Sequence, residues 1–343
     1  MENLSPPRKR GPRAALRRLL TWLPAFAGMT VFVSSVAVPS IAQAADKIRL
    51  IVSQQAAFDL FPADVAAQDG MFKAEDLDVS IIYGDGGGNS LQAILTGSQD
   101  VIIGVGTLSV ISAYAKGGSL TIIANNRMGP GDLYWYVPAA SPLKTLKDIE
   151  GKQVAYTRPG SSSHLTLQFI LREQKINAKM VSAGGFAAAK TLVMSGQVDV
   201  GNAAAPVGFT DLRTGETRLL FTGDEAKGLA DHSIRLAAAN SDWLAKNRPV
   251  AERFMRAMWK ATVAYYKGGD PMFQRFADHW KVDLQDVRRG PEFTALEDVA
   301  FAPVGNIAGE AKLALEYEFI KEPLTEAQLK KLVDVVYAPP PVR

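Results

Sequence analysis

Two stretches of this sequence deliver glycine and serine to the point where a strand turns into a helix. Residues 152–171 read KQVAYTRPGSSSHLTLQFIL. A short apolar strand, Val154-Ala155-Tyr156, turns at Arg158-Pro159-Gly160 into Ser161, Ser162, Ser163 and His164, and then into helical spacing of Leu165, Phe169 and Leu171. Earlier, LDVSIIY at residues 77–83 runs into Gly84-Asp85-Gly86-Gly87-Gly88-Asn89-Ser90. Here Ser90 stands where a cap for a helix over residues 91–95 is expected, with Gly97 as its stop. The first N–H groups of a helix have no partner inside it, so each junction gathers backbone donors at a positive helix end. Such a point attracts anions and polar oxygens. Serine at a helix start is also an ordinary cap, and one junction alone does not separate the two readings.

Other chemistry is scarcer. There is no cysteine, which removes disulfides, thiolate nucleophiles and cysteine metal sites. Beyond the leader the histidines are His164, His232 and His279, with no Ser/His/Asp order and no H-x-x-x-H spacing. A single histidine at a helix start more often bonds its neighbours than acts as a base. Asp231-His232 suits a turn as well as a ligand amine. Arg127 and Arg158 are candidates for added positive charge and equally for solvated surface. No cofactor and no metal are expected.

The elements that would position these groups alternate. Strands are expected at 47–54, 77–83, 100–105 and 120–124, with helices at 63–68, 91–95 and 107–116 between them. This indicates parallel β/α units. An aromatic strand, Leu133-Tyr134-Trp135-Tyr136-Val137, leads to Pro138, and the pattern restarts. It runs through the strand at 154–156, the serine helix, a strand at 180–182, a helix at 187–194 and a strand at 198–200. Leu95-Thr96-Gly97-Ser98-Gln99-Asp100-Val101 aligns with Met194-Ser195-Gly196-Gln197-Val198-Asp199-Val200. Each follows a glycine turn and a helix, and each precedes a buried strand, so the chain is expected to contain two similar lobes. Strands at 218–222 and 233–238 follow. Helices at 241–246 and 249–267 carry Phe254, Met258, Trp259, Val263 and Tyr266 at helical spacing, which is core packing.

The first 44 residues read as an export leader. Six basic residues lie at positions 8–18, no charge lies between 19 and 45, and Ala42-Gln43-Ala44 fits a small-x-small cleavage site. An uncleaved anchor is the rival, weakened by Pro24 and Gly28; Arg17-Arg18 leaves twin-arginine export open. Without cysteine there is no lipid attachment at the cleavage site, so a free periplasmic protein is expected. The leader holds six of the 38 Lys+Arg and one of the 35 Asp+Glu, leaving 32 basic and 34 acidic residues, a net charge of −2. A near-neutral body gives no reason to expect nucleic acid or an anionic membrane.

In family order, FPADVAAQDGMFKAEDLDVSI, LTGSQDVIIGVG, TLKDIEGKQVAYTRPGSSSH, SGQVDVGNAAAP and NSDWLAKNRPVAERFMRAMWKA make this chain similar to the substrate-binding proteins of bacterial ABC importers, in the nitrate/sulfonate/taurine group. The resemblance implies a two-lobed α/β periplasmic binding protein with two hinge strands and a central ligand cleft. Lobe I would be residues 46–136 with 235–343 and lobe II residues 137–234, with hinges near 134–138 and 233–237. It implies a small anionic or polar solute as ligand, an inner-membrane ABC permease as partner, and a monomer. Carried over by position, the ligand-binding residues would be Gln54, Phe58, Gly87, Gly88, Asn89, Ser90, Thr107, Ser161, Ser162, Ser163, His164 and Ala205. Ala203-Ala204-Ala205 before Pro206 departs from the bulkier or polar residue of many relatives and implies a roomier wall. The alternative is a periplasmic enzyme on the same fold. It would resemble the thiamine-pyrimidine synthases, whose cysteine-containing motif is absent here.

Overall fold

The computed structural model describes residues 44–84 and 86–340. The expected leader lies outside the described residues except for Ala44. Strand β1 (Asp46–Val52), helix α1 (Pro62–Gln68), β2 (Leu77–Tyr83), α2 (Gly87–Leu95), β3 (Val101–Gly106), α3 (Thr107–Ala115) and β4 (Leu120–Met128) form the first run. After β5 (Leu133–Pro138) come β6 (Gln153–Tyr156), α4 (Ser162–Glu173), β7 (Lys179–Ser182), α5 (Phe186–Met194), β8 (Gly201–Ala204), α6 (Phe209–Thr214) and β9 (Thr217–Thr222). Then β10 (Ser233–Asn240) leads into α7 (Ser241–Lys267), α8 (Asp270–Trp280) and further short helices.

The two runs are built alike. The larger sheet has the order β2-β1-β3-β10-β4, with β1 parallel to β2 and β3 and β10 antiparallel to β3 and β4. In the second run β6 pairs parallel with β7, and β5 lies antiparallel between β8 and β9. A parallel bridge from Val154 to Val200 joins the two pieces, giving the order β7-β6-β8-β5-β9. Position for position this repeats the larger sheet, with β5 standing where β10 stands. Each antiparallel strand comes from outside its own run, so the chain passes between the assemblies twice, at residues 129–132 and 223–232. Each hinge strand is then committed to one sheet.

The sequence repeat has a local cause. Gly97 and Gly196 follow the ends of α2 and α5 at φ of 70° and 74°, the left-handed turn that glycine adopts without strain. The aspartates three residues further on do the same work. Asp100 Oδ2 accepts the Arg49 N–H at 2.8 Å, and Asp199 Oδ2 accepts the Gln153 N–H at 2.8 Å. Each carboxylate thus ties the incoming strand to its parallel neighbour.

Differences from the sequence reading are local. The strand expected at 198–200 starts at Gly201, with Val200 making only the bridge. β4 runs four residues beyond expectation because Asn125 and Arg127 remain paired to β10. The helices at 241–246 and 249–267 form one kinked helix. Asn247 (φ −129°) breaks the helical angles two residues before Pro249, which cannot donate and crowds the preceding turn. Its Phe254, Met258 and Trp259 are buried, with Val263 and Tyr266 packed beside them, against α1 and one face of the larger sheet. No helix of the described residues is long and apolar enough to cross a membrane.

Candidate functional site

A cavity of about 490 Å³, including its open mouth, lies between the larger sheet and the second assembly. Its walls are strand ends and helix starts from both. From the first come Ser53 and Gln54 after β1, Asp59 and Leu60 in a following 3-10 turn, Gly86 before α2, and Gly104 and Gly106 in β3. From the second come Thr157, Ser161, Ser162 and Ser163 at the start of α4, Phe186 opening α5, and Ala204 ending β8. Asp132 and Leu133 at one chain crossing and Arg235 at the start of β10 complete it. This is the place where α/β sheets bind ligands, beyond the carboxyl ends of parallel strands.

Glycine brings backbone to the wall at two positions. Gly104 has a φ of 79°, and a Cβ there would meet Ser53 Oγ at 2.6 Å and Leu60 Cδ1 at 2.7 Å. A Cβ at Gly106 would meet the Gly160 carbonyl oxygen at 2.6 Å and Ser161 Cα at 3.0 Å, so the two assemblies touch backbone to backbone there.

The serine junction is a knitted cap. Ser161 Oγ accepts the His164 N–H at 3.2 Å, and Ser163 Oγ accepts the Thr157 N–H at 3.0 Å. The N–H groups of Ser162 and Ser163 begin the helix, where geometry gives no intrahelical partner. Both readings of the serines therefore coexist: they cap the helix, and they line the cavity.

The floor is a buried ionic quartet. Arg235 Nη2 donates to Asp132 Oδ2 at 2.6 Å and to Asp59 Oδ2 at 3.2 Å, and Nη1 reaches Ser162 Oγ at 3.4 Å. Its register partner on β4 is Arg127, whose Nε lies 3.6 Å from Asp132 Oδ1 and whose Nη1 lies 3.3 Å from the half-exposed Asp298. Two arginines directly opposite across a ladder repel unless acids stand between them, and Asp132 does so. Burial pushes the Asp59 carboxyl above its usual range, and Arg235 pulls against that. Burial would lower the Arg235 pKa, but Asp132 and Asp59 outweigh it and hold the guanidinium charged.

Of the residues expected from sequence, Gln54, Ser161, Ser162 and Ser163 line the cavity. Phe58 is buried among Tyr265, Tyr266, Phe273 and Phe276. Gly87 and Gly88 begin α2, whose cap is Gly86; Asn89 is exposed. Ser90 lies inside the helix and not at its cap, donating back to the Gly86 carbonyl at 3.0 Å. Three glycines let the helix start earlier than a serine cap implied. Thr107 is buried and donates to the Ser233 carbonyl. Ala205 is buried beside the wall, which Ala204 forms. Arg158 sits at the mouth, in an open recess shared with Gln54 and Phe186. Sequence reading did not find Asp59, Asp132, Arg235, Thr157 or Phe186.

The histidines lie away from the cavity wall. His164 stacks on Tyr156 with ring centroids 4.3 Å apart, and its Nδ1 accepts the Gly160 N–H at 3.1 Å. His232 is buried, with Nδ1 2.9 Å from Glu310 and Nε2 2.7 Å from Asn306. His279 packs edge-on to Phe61. Burial holds the His164 pKa down to about 4. The ring therefore stays neutral above that pH, and its contribution to stability fades as pH falls from its unfolded value near 6.5 toward 4. Its NMR titration should be flat between pH 5 and 8, with a midpoint near 4; a midpoint near 6.5 would show a solvated ring. Among the described residues no cluster of three or more His, Asp or Glu could hold a metal ion.

A two-lobed α/β body with a cleft lined from both lobes defines the periplasmic binding protein class. The NMT1/THI5-like family pattern matches residues 58–268, more than half of the chain, and the chain belongs to that family. Among solved structures, the alkanesulfonate-binding protein SsuA of Xanthomonas axonopodis pv. citri, bound to MOPS, superposes with a TM-score of 0.72 at 19% identity, covering 84% of this chain and 98% of its own. The periplasmic aliphatic sulphonate binding protein SsuA of Escherichia coli gives 0.69 at 18%, covering 87% and 95%. The periplasmic nitrate-binding protein NrtA of Synechocystis PCC 6803 gives 0.59 at 16%, covering 76% and 72%. No curated protein matches the chain by sequence.

Proposed function

We propose that the chain is the solute-capturing component of an ABC importer, working in the periplasm as a monomer and delivering a small polar solute to a membrane permease. The observation that carries this reading is the cavity, walled by strand ends and helix starts of both assemblies around a charged floor. The proposed lobes are residues 46–128 with 233–340, and residues 133–222, closing about the two crossings on binding. Sulfonate- and nitrate-binding neighbours support capture of a small solute. A near-neutral body, a leader-like start and the absence of cysteine fit an exported binding protein. The rival, an enzyme of the same family, needs a base or nucleophile at the cavity wall. The wall has no histidine; Ser161 and Ser163 bond each other, Ser163 also meets Thr157, Ser162 accepts from Arg235, and Ser53 donates to the Gly104 carbonyl.

A thermal-shift screen over sulfonates, carboxylates, nitrate, amines, amides and pyrimidines tests this. A true ligand at about 100 times its dissociation constant stabilises the fold by about 2.7 kcal/mol. The compound should be recovered unchanged after incubation. Turnover of the bound compound would transfer the chain to the enzyme class, and silence across the panel would count against solute capture.

A further inference from the structure

The charges at the cavity floor choose among ligands. Three charged side chains line the cavity, the acids Asp59 and Asp132 and the base Arg235. Arg127 stands behind Asp132, so the quartet sums to zero and its cavity-facing part is negative. The Arg235 guanidinium is already engaged by both carboxylates. Among the described residues an incoming anion would find backbone donors and Arg158 at the mouth, but the cation at the floor is engaged, and the anion would lie close to two buried carboxylates. Against side chains as buried as Asp59 and Asp132 that repulsion is poorly screened.

The floor presents more acceptor than donor to the cavity, two carboxylates against one guanidinium. Asp132 is 2% exposed; its Oδ2 binds Arg235, and its Oδ1 faces Arg127 behind it, with Nε at 3.6 Å and no hydrogen bond. A buried carboxylate short of donors is costly, and a ligand N–H that joins Arg235 on its cavity side relieves that cost. Burial makes the Asp59 charge expensive, with Arg235 bonded to it and Arg127 acting on it from further off. Leu60, Leu133, Phe186 and Ala204 add apolar surface to the wall, which suits a flat or aliphatic body.

Resting on the solute-capture reading, we infer that the cleft selects a head group that donates N–H hydrogen bonds and carries no net negative charge, with Asp132 and Asp59 as the residues that enforce the choice. The Ser161–Ser163 helix start then receives a neutral acceptor of the same solute. Sulfonate and nitrate, the ligands of the structural neighbours, are excluded as the preferred cargo of this chain.

Four probes with one ring and different heads test it: benzamidine, benzamide, benzoate and benzenesulfonate, titrated calorimetrically against the purified protein at constant ionic strength. Benzamidine and benzamide should bind at least 10-fold more tightly than either anion. Asp132→Asn should reduce the benzamidine-to-benzoate preference at least 10-fold. Removing that carboxylate leaves two buried arginines with less compensation and can unfold the chain; the preference ratio of the parent protein needs no variant. A tighter anion overturns the assignment and leaves solute capture standing. Silence of all four also overturns it, and only silence of the broad panel as well removes solute capture.

Discussion

Gly106→Val is expected to leave the fold intact and to abolish both ligand-induced compaction and ligand binding. Gly106 has φ −64° and ψ 135°, ordinary extended angles that valine adopts without strain. The side chain therefore costs nothing locally. It collides only across the cleft, where its Cβ would stand 2.6 Å from the Gly160 carbonyl oxygen, 3.0 Å from Ser161 Cα and 3.1 Å from Ser161 C. These are backbone atoms and cannot swing aside as the end of a side chain would. The approach is reciprocal: a Cβ on Gly160, at φ 78°, would meet Ser109 Oγ at 2.5 Å. Two assemblies that close on backbone contact have no slack, so the valine variant should rest open. Small-angle scattering of parent and variant, with and without the ligand from the screen, gives the test. The parent should compact on binding; the variant should not, and its affinity should fall at least 100-fold. Gly185→Ala is the control, since nothing lies within 4 Å of a Cβ there. If Gly106→Val binds and compacts as the parent does, closure does not pass through this contact.

The alternation of strands and helices, the repeat and the serine junction were legible because each depends on neighbours in sequence. The glycine after α2 and α5 and the aspartate three residues on are local devices, and they marked the two lobes before any coordinates. The identical strand order was not legible, because β5 and β10 are inserted from the opposite run, and no spacing rule announces a strand that pairs away from its neighbours. The serines were found and the acid–base floor was missed for the same reason. Asp59 meets Arg235 across 176 positions and Asp132 meets it across 103. A signal was present all the same. Asp59 stands in FDLF and Arg235 in SIRLAAAN, each a single charge in an apolar run. A charge placed where the pattern demands burial must have a partner somewhere, and two such charges of opposite sign in one chain invite pairing them. The glycine turn misled in a smaller way. Ser90 fits a cap by type, but glycines preceding it start the helix four residues sooner, which turns the serine inward and gives its place at the wall to Gly86.

Arg235→Met should cost the fold about 3–5 kcal/mol at neutral pH, the loss that follows when one partner of a buried ionic group is removed. For a chain of this size that is a fall in melting temperature of about 5–8 °C. Methionine fills much of the volume, so the loss is mainly electrostatic. Asp59 and Asp132 keep their burial and are left with Arg127 alone, which lies behind Asp132. The pH dependence identifies the cause. Burial already raises the Asp59 pKa, and Arg235 is the main influence lowering it; without Arg235 it rises further. An acid whose folded pKa lies above its unfolded value contributes most below the unfolded value, and loses that contribution as pH rises through the folded one. The variant's deficit should therefore be greatest near pH 8 and shrink as the pH falls toward 5 and Asp59 takes up a proton. Melting temperatures of parent and variant across pH 5–8 decide it. A deficit that does not change with pH would mean that Arg235 stabilises by packing alone. A deficit under about 1 kcal/mol would mean that the quartet is not the electrostatic core of the cleft, and the ligand preference assigned to its carboxylates would lose its basis.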